Sequence, residues 1–159
     1  MSAAAAASRP RAPALRSLSA WLDANGADIL LLIAITAIAA VPRLVLLGTI
    51  PPGFHGDEAV AGLEARSLLH YGHLMQGQAA PYSLGALGVP AGTFYWTAAV
   101  VAVFGQTVVT VRLAYALLGI AGVTLTFLAS RIMFGRSVAV IATLLLSVSA
   151  WHLHYSRSG

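Results

Sequence analysis

The sequence predicts an all-α integral membrane protein, with three transmembrane helices and juxtamembrane amphipathic helices in the first outer loop. Hydrophobic residues occupy 58% of the 159 positions and charged residues only 9%, whereas soluble domains carry about 25% charged residues. The apolar residues form long runs that are flanked by arginines, and lysine and cysteine are absent. The missing cysteine excludes disulfides and thiolate metal sites. Arginines placed in this way indicate membrane orientation rather than nucleic-acid binding.

Three apolar runs are long enough, or nearly so, to cross roughly 30 Å of hydrocarbon at about 1.5 Å per residue. They are residues 29–47, 113–130 and 138–152. The segment before them, 1–28, is predicted to be a disordered basic cytoplasmic tail, because it begins with a low-complexity Ala/Ser/Arg/Pro stretch. An Ala-Ile-Ala motif at 37–39 offers a signal-peptidase site as an alternative. The long segment before it and the apolar run after it disfavour cleavage.

The loop 48–110 is predicted to hold short helices at the outer membrane surface. One runs from Glu58 to Tyr71, with Asp57 as its N-cap and Gly72 as its stop. Its apolar face, formed by Val60, Leu63, Ser67, Leu68 and Tyr71, is predicted to lie on the membrane. A Gly/Pro-rich connector, 73–92, leads to an apolar segment at 93–104. That segment is short for a span, so an interfacial or re-entrant helix is favoured.

Charge placement predicts the topology. Arginines favour the cytoplasmic side, which places the N-terminal tail there together with the turn that carries Arg131 and Arg136. Three spans satisfy both assignments and put the loop with Asp57 outside, in what we expect to be a bacterial plasma membrane. In the alternative, residues 93–104 also span, and Arg131 and Arg136 then move outside.

The stretch from Pro51 to Ala59 carries adjacent carboxylates close to a membrane face, where unpaired charge is costly. Asp57 is either a helix cap or a general base that accepts a proton from an attacking hydroxyl. Glu58 is either a first-turn acid or an electrostatic neighbour that tunes Asp57. With His55 these groups offer nitrogen and oxygen ligands for a divalent metal, and a solvated loop is the alternative.

Arginines and aromatic residues near the same membrane face have two interpretations each. Arg43, Arg112 and Arg157 either extend toward the head groups or contact a phosphate, which suits the planar guanidinium. Tyr95, followed by Trp96, belongs either to an interfacial aromatic belt or to a surface that stacks on a sugar or a prenyl chain.

The order of these elements resembles the N-terminal part of GT-C glycosyltransferases, in particular the family 39 type that includes protein O-mannosyltransferases and aminoarabinose transferases. The resemblance covers about residues 29–159. It rests on Arg43, the His-Gly-Asp-Glu-Ala motif at 55–59, Tyr95-Trp96, Arg112, the Phe-Gly-Arg turn at 134–136 and Tyr155-Ser156-Arg157.

The resemblance implies that Asp57 is the catalytic base. Glu58 beside it is the second catalytic candidate, and the candidate substrate-binding residues are Arg43, His55, Tyr95, Arg112 and Arg157. The implied donor is a sugar on a polyprenyl phosphate, and transfer to a lipid, protein or glycan acceptor inverts the anomeric centre. Members of the family are much longer and carry a second outer acid beyond the segment matching Tyr155 to Arg157. The chain is therefore expected to be an N-terminal fragment that does not act alone. The competing hypothesis is a non-catalytic membrane subunit or a transporter fragment.

Overall fold

A computed structural model describes residues 18–75 and 90–158, which form helices and no strands. The helices are α1 (Leu18–Leu44), α2 (Gly56–Tyr71), α3 (Gly92–Phe104), α4 (Val108–Phe134), α5 (Arg136–Val148) and α6 (Ala150–Ser158). Two contain apolar stretches long enough to cross a membrane, Asn25–Leu44 and Val108–Phe134, and a third span results if α5 and α6 are taken together. The predicted all-helical membrane class is confirmed at this level.

Helix α1 begins earlier and ends sooner than the sequence predicted. Its first residue is Leu18, so positions 18–28 are helical and the assignment of all of 1–28 to a disordered tail is wrong; residues 1–17 lie outside the described part of the chain. The helix stops at Leu44, two residues after Pro42, rather than at Leu47. Leu46 has a left-handed φ of 53° and turns the chain away.

Helices α4 and α5 form a hairpin with one of the shortest possible turns. Thr107 caps α4, because its Oγ1 accepts a hydrogen bond from the Thr110 backbone N–H at 3.1 Å. α4 then continues well past the predicted 113–130 at both ends. Gly135, with φ of 87°, ends α4 and immediately precedes α5. Only glycine adopts this backbone geometry at little cost.

The predicted span 138–152 is broken rather than continuous. α5 ends at Val148, α6 starts at Ala150, and their axes differ by 57°. Ser149 lies between them in a non-helical conformation. Neither proline nor glycine marks this break in the sequence, so helix-breaking residues could not have predicted it.

Helices α1, α4 and α5 pack around one apolar core, formed by Ile35, Ala39, Val123, Phe127 and Ala139. At one end of this bundle Asp28 pairs with both arginines of the α4–α5 turn, 2.8 Å from Arg131 and 2.6 Å from Arg136. The start of the first span and the turn after the second therefore lie at the same end. We call it the Asp28 end.

Helices α2 and α3 pack against each other and against the beginning of α4 at the opposite end. Their shared core includes Ala61 and Ala65 of α2, Phe94 and Val101 of α3, and Val111 of α4. The helix expected over 58–71 and its stop at Gly72 are confirmed to within two residues. The predicted membrane-facing stripe is wrong, because its members divide between the packed side and the exposed side of α2.

Helix α3 has the length expected for a helix that does not cross. Its 13 residues extend about 20 Å, against a hydrocarbon thickness of about 30 Å. Trp96 fixes it to α4 by donating a hydrogen bond from Nε1 to the Ala114 carbonyl at 2.8 Å. Much of the connector predicted at 73–92 falls in 76–89, outside the described residues.

Candidate functional site

Three buried arginines from three helices meet at the end of the bundle where α1 stops. Arg43 of α1, Arg112 of α4 and Arg157 of α6 are 0%, 1% and 7% exposed. A snorkelling arginine keeps its guanidinium in water, so that interpretation does not hold for any of the three. We call them the arginine cluster.

Arg112 forms an ion pair with the carboxylate of Glu58. Its Nε donates to both oxygens of Glu58, at 3.1 and 3.2 Å, and Nη2 donates to Oε2 at 3.1 Å. Nη1 and Nη2 also donate to the carbonyls of Leu47 and Gly53, at 3.0 and 2.6 Å. Glu58 is fully buried. The pair thus anchors α2 and the segment after α1 onto α4.

Arg157 binds the backbone at the end of α1. Nη1 donates to the carbonyl of Pro42, and Nη2 donates to those of Val45, Leu46 and Ile50 at 2.9, 3.3 and 2.7 Å. The last carbonyls of a helix have no partner within the helix and carry a partial negative charge. A cation here both satisfies them and ties α6 to α1.

Arg43 joins α1 to the break between α5 and α6. Nη1 donates to the carbonyls of Ala39 and Ser147, at 2.8 and 3.4 Å. Nη2 lies 2.7 Å from Nδ1 of His152. Because a guanidinium only donates, Nδ1 of His152 must be the acceptor, and the ring proton lies on Nε2.

Positive charge exceeds negative charge in this region. Three guanidiniums face a single buried carboxylate, Glu58, which leaves two positive charges without a charged partner among these four side chains. In addition, Nε of Arg43 and Nε of Arg157 are buried with no hydrogen-bond partner in the described structure. Buried unpaired cations are costly, and such a site attracts an anion.

Asp57 lies next to Glu58 in the chain but in a different environment. It is exposed in the first turn of α2, because adjacent helical residues point about 100° apart. The capping position belongs to His55, whose side chain makes no capping hydrogen bond. The prediction that Asp57 caps the helix is therefore wrong, and its side chain is exposed.

An open cleft of about 490 Å³ lies between α4 and α6, beside the arginine cluster. Its walls are Tyr115, Leu118 and Gly119 from α4, and Ser149, Trp151, His152, Tyr155 and Ser156 from the other side. His152 lines the cleft and also contacts Arg43, so the cleft adjoins the arginine cluster through this side chain.

Gly119 permits the close contact between α4 and α6 below the cleft. A Cβ at this position would clash with Oγ of Ser156 and would lie 3.3 Å from Nε of Arg43. The outer rim is aromatic: the rings of Trp151 and Tyr155 stack with centroids 6.0 Å apart and planes 16° apart. Both rings are largely exposed.

Two other predicted site residues lie apart from this arrangement. Tyr95 is half-buried and packs against the core of α2 and α3, so it does not present a free stacking surface. His55 is exposed at the start of α2. Within 18–75 and 90–158, no group of three His, Asp or Glu side chains is placed to hold a metal ion.

Sequence reasoning assigned no role to four residues that shape the cleft, namely Tyr115, Gly119, His152 and Ser156. The spacing of two of them in the sequence could have identified them as a pair. His152 and Ser156 are four apart and therefore share one face of a helix, and Oγ of Ser156 donates to the His152 carbonyl at 2.5 Å.

The site offers an exposed carboxylate, an amphiphilic cleft and a buried excess of positive charge within one end of the molecule. Such a combination suits a substrate with an anionic group and a reacting hydroxyl.

No family model, curated protein or solved structure matches the chain.

Proposed function

We propose that the chain is the N-terminal part of a membrane glycosyltransferase that uses a polyprenyl-phosphate sugar donor on the extracytoplasmic side. The observation that carries the proposal is the exposed Asp57 beside a cluster of three buried arginines with one carboxylate. The motif resemblance supplies the donor class. The charge excess, the cleft and the position at one end of the bundle supply the physical support.

In the proposed reaction, the hydroxyl of the acceptor attacks the anomeric carbon of the donor sugar. The bond between that carbon and the phosphate oxygen breaks, and the polyprenyl phosphate leaves with the electron pair. Asp57 accepts the hydroxyl proton, which fits its exposure to solvent and its freedom from any arginine contact in the described structure. Attack opposite the leaving group inverts the anomeric centre.

The arginine cluster would stabilise the negative charge that develops on the leaving phosphate. Arg43 and Arg157 are the candidates, because Arg112 already pairs with Glu58. Glu58 then has a positioning role and holds Arg112 in place. This assignment differs from the sequence-based expectation, in which Glu58 was a catalytic candidate together with Asp57.

Substitution of Asp57 by Asn in the full-length protein tests the proposal. Loss of a general base lowers turnover by about 100-fold to 10,000-fold, and Asn preserves the size of the exposed side chain. The assay measures release of polyprenyl phosphate and transfer of the sugar in membranes. The matched control is Arg66→Gln, an exposed change on the same helix, which leaves turnover unchanged.

Two outcomes would refute the proposal. Turnover of the Asn variant close to that of the wild type would remove Asp57 from the base role. No donor cleavage in any form would favour the competing hypothesis, a non-catalytic membrane subunit or a transporter fragment.

A further inference from the structure

We infer that the Asp28 end binds one phospholipid with an anionic headgroup, its phosphate at Arg131 and Arg136 and one acyl chain in the groove between α1 and α4. This inference is independent of the proposed function, because it concerns the opposite end of the bundle. Its ligand is a bulk lipid of the leaflet rather than a sugar donor.

The charges at this end leave room for an anion. Asp28 uses both carboxylate oxygens: Oδ2 accepts from Nε of Arg131 at 2.9 Å, and Oδ1 accepts from Nε of Arg136 at 2.6 Å. Two guanidiniums thus share one carboxylate, which leaves one net positive charge. The Arg131 and Arg136 side chains are 38% and 48% exposed, so they can reach a ligand.

The geometry leaves donors free for a phosphate. Arg136 makes its contact with Asp28 through Nε, and its two terminal nitrogens make no hydrogen bond within the described residues. A guanidinium presents five N–H donors in a plane and binds phosphate oxygens in pairs. The edge that points away from Asp28 is therefore available.

An apolar groove of about 250 Å³ adjoins these charges. Its apolar walls are Ile29 and Leu32 from α1 and Phe127, Leu128 and Ile132 from α4, and Asp28 and Arg131 also line it. A phospholipid has this same division between a charged group and a hydrocarbon chain. Basic pockets between transmembrane helices are known sites for anionic headgroups.

The depth of the groove also fits a lipid. Asp28 lies near the start of the candidate span Asn25–Leu44, and Arg131 lies near the end of the span that finishes at Phe134. The charged groups are therefore at the level of the headgroups when the apolar segments occupy the hydrocarbon. A zwitterionic lipid would fit the groove equally well but would leave the net positive charge uncompensated.

Native mass spectrometry of the purified full-length protein tests the inference. The protein is equilibrated with phosphatidylglycerol or with phosphatidylcholine of the same acyl chains, and the retained lipid is counted. The wild type should retain one phosphatidylglycerol in preference to phosphatidylcholine. Arg136→Gln should lower this retention about fivefold, which corresponds to about 1 kcal/mol per basic residue. Arg66→Gln, at the other end, should not change it.

Two further variants separate lipid binding from a structural role of the ion pairs. Asp28→Asn breaks the pairs but releases both guanidiniums, so retention of phosphatidylglycerol should rise. Leu128→Trp fills the groove and should lower retention with every charge intact. Leu125→Trp, an exposed position on α4 that does not line the groove, is its matched control.

The inference is overturned if the wild type retains both lipids equally, which indicates a zwitterionic or non-specific occupant. It is also overturned if Asp28→Asn lowers retention or if Leu128→Trp behaves like Leu125→Trp. If no form of the protein retains lipid, the lipid assignment is refuted, and a protein segment becomes the candidate occupant of the groove.

Discussion

Glu58 and Asp57 provide the sharpest internal comparison in this chain. They are adjacent acids, and the sequence alone does not show which of the two is buried. The structure buries Glu58 in an ion pair with Arg112 and exposes Asp57 to solvent. We therefore expect Glu58→Gln to destabilise the fold and Asp57→Asn to leave stability nearly unchanged.

The magnitudes follow from the contacts. Removing one partner of a buried ion pair costs about 3–5 kcal/mol, because the remaining charge is left uncompensated. Here the loss would leave three buried guanidiniums with no carboxylate among them. Gln retains one acceptor oxygen for Arg112, which favours the lower end of the range. For Asp57→Asn, loss of a first-turn charge costs only about 0.3–1 kcal/mol.

Thermal unfolding of the purified protein in detergent distinguishes these values. For chains of about this length, 1 kcal/mol shifts Tm by roughly 2–4 °C. A loss of about 3 kcal/mol in Glu58→Gln therefore lowers Tm by about 6–12 °C, and Asp57→Asn lowers it by about 4 °C at most. A Tm for Glu58→Gln equal to that of Asp57→Asn would refute the buried-pair reasoning. In the transferase assay we expect the reverse order: Asp57→Asn should lower turnover more than Glu58→Gln.

Two further predictions concern helix packing and topology. Gly119→Ala should destabilise by about 1–3 kcal/mol through overpacking, because the new Cβ meets Ser156; Ser156→Gly in the same background should restore Tm. Gly122→Ala is the control, since its nearest contact would be an ordinary 3.5 Å. For topology, single cysteines at the exposed positions Gln106 and Ser137 can be labelled on intact cells with a membrane-impermeant thiol reagent. Labelling at Gln106 with protection at Ser137 is expected, and the reverse pattern would show that α3 crosses the membrane.

The sequence predicted the class of the protein and the approximate places of its helices, because long apolar runs have few alternative structures in a bilayer. The stop at Gly72 was also predictable. Helices commonly end at a glycine in the left-handed conformation, and Gly72 has a φ of 75°. Helix boundaries were less certain, since α1 continues through polar residues before Asp28 that carry no helix-breaking signal.

The surroundings of the charged residues could not be predicted from local patterns. Arg43 looked like an interfacial residue, yet it is fully buried because His152 and the Ser147 carbonyl, more than a hundred positions away, supply acceptors. Likewise, Glu58 rather than Asp57 turns inward because α2 packs on α3 and α4 and meets Arg112 there. Periodicity describes one helix at a time, whereas these burials depend on how helices meet.

The break at Ser149 has a consequence for water. α5 has 13 residues and covers only about 20 Å of a hydrocarbon layer about 30 Å thick, so the break falls inside the layer if α5 and α6 cross together. Irregular backbone at that depth persists only where protein or water satisfies its polar groups. Ser149 also lines the open cleft beside His152 and Ser156. Hydration would therefore extend below the membrane surface through this cleft, and a hydrophilic molecule could approach the buried arginines without entering lipid.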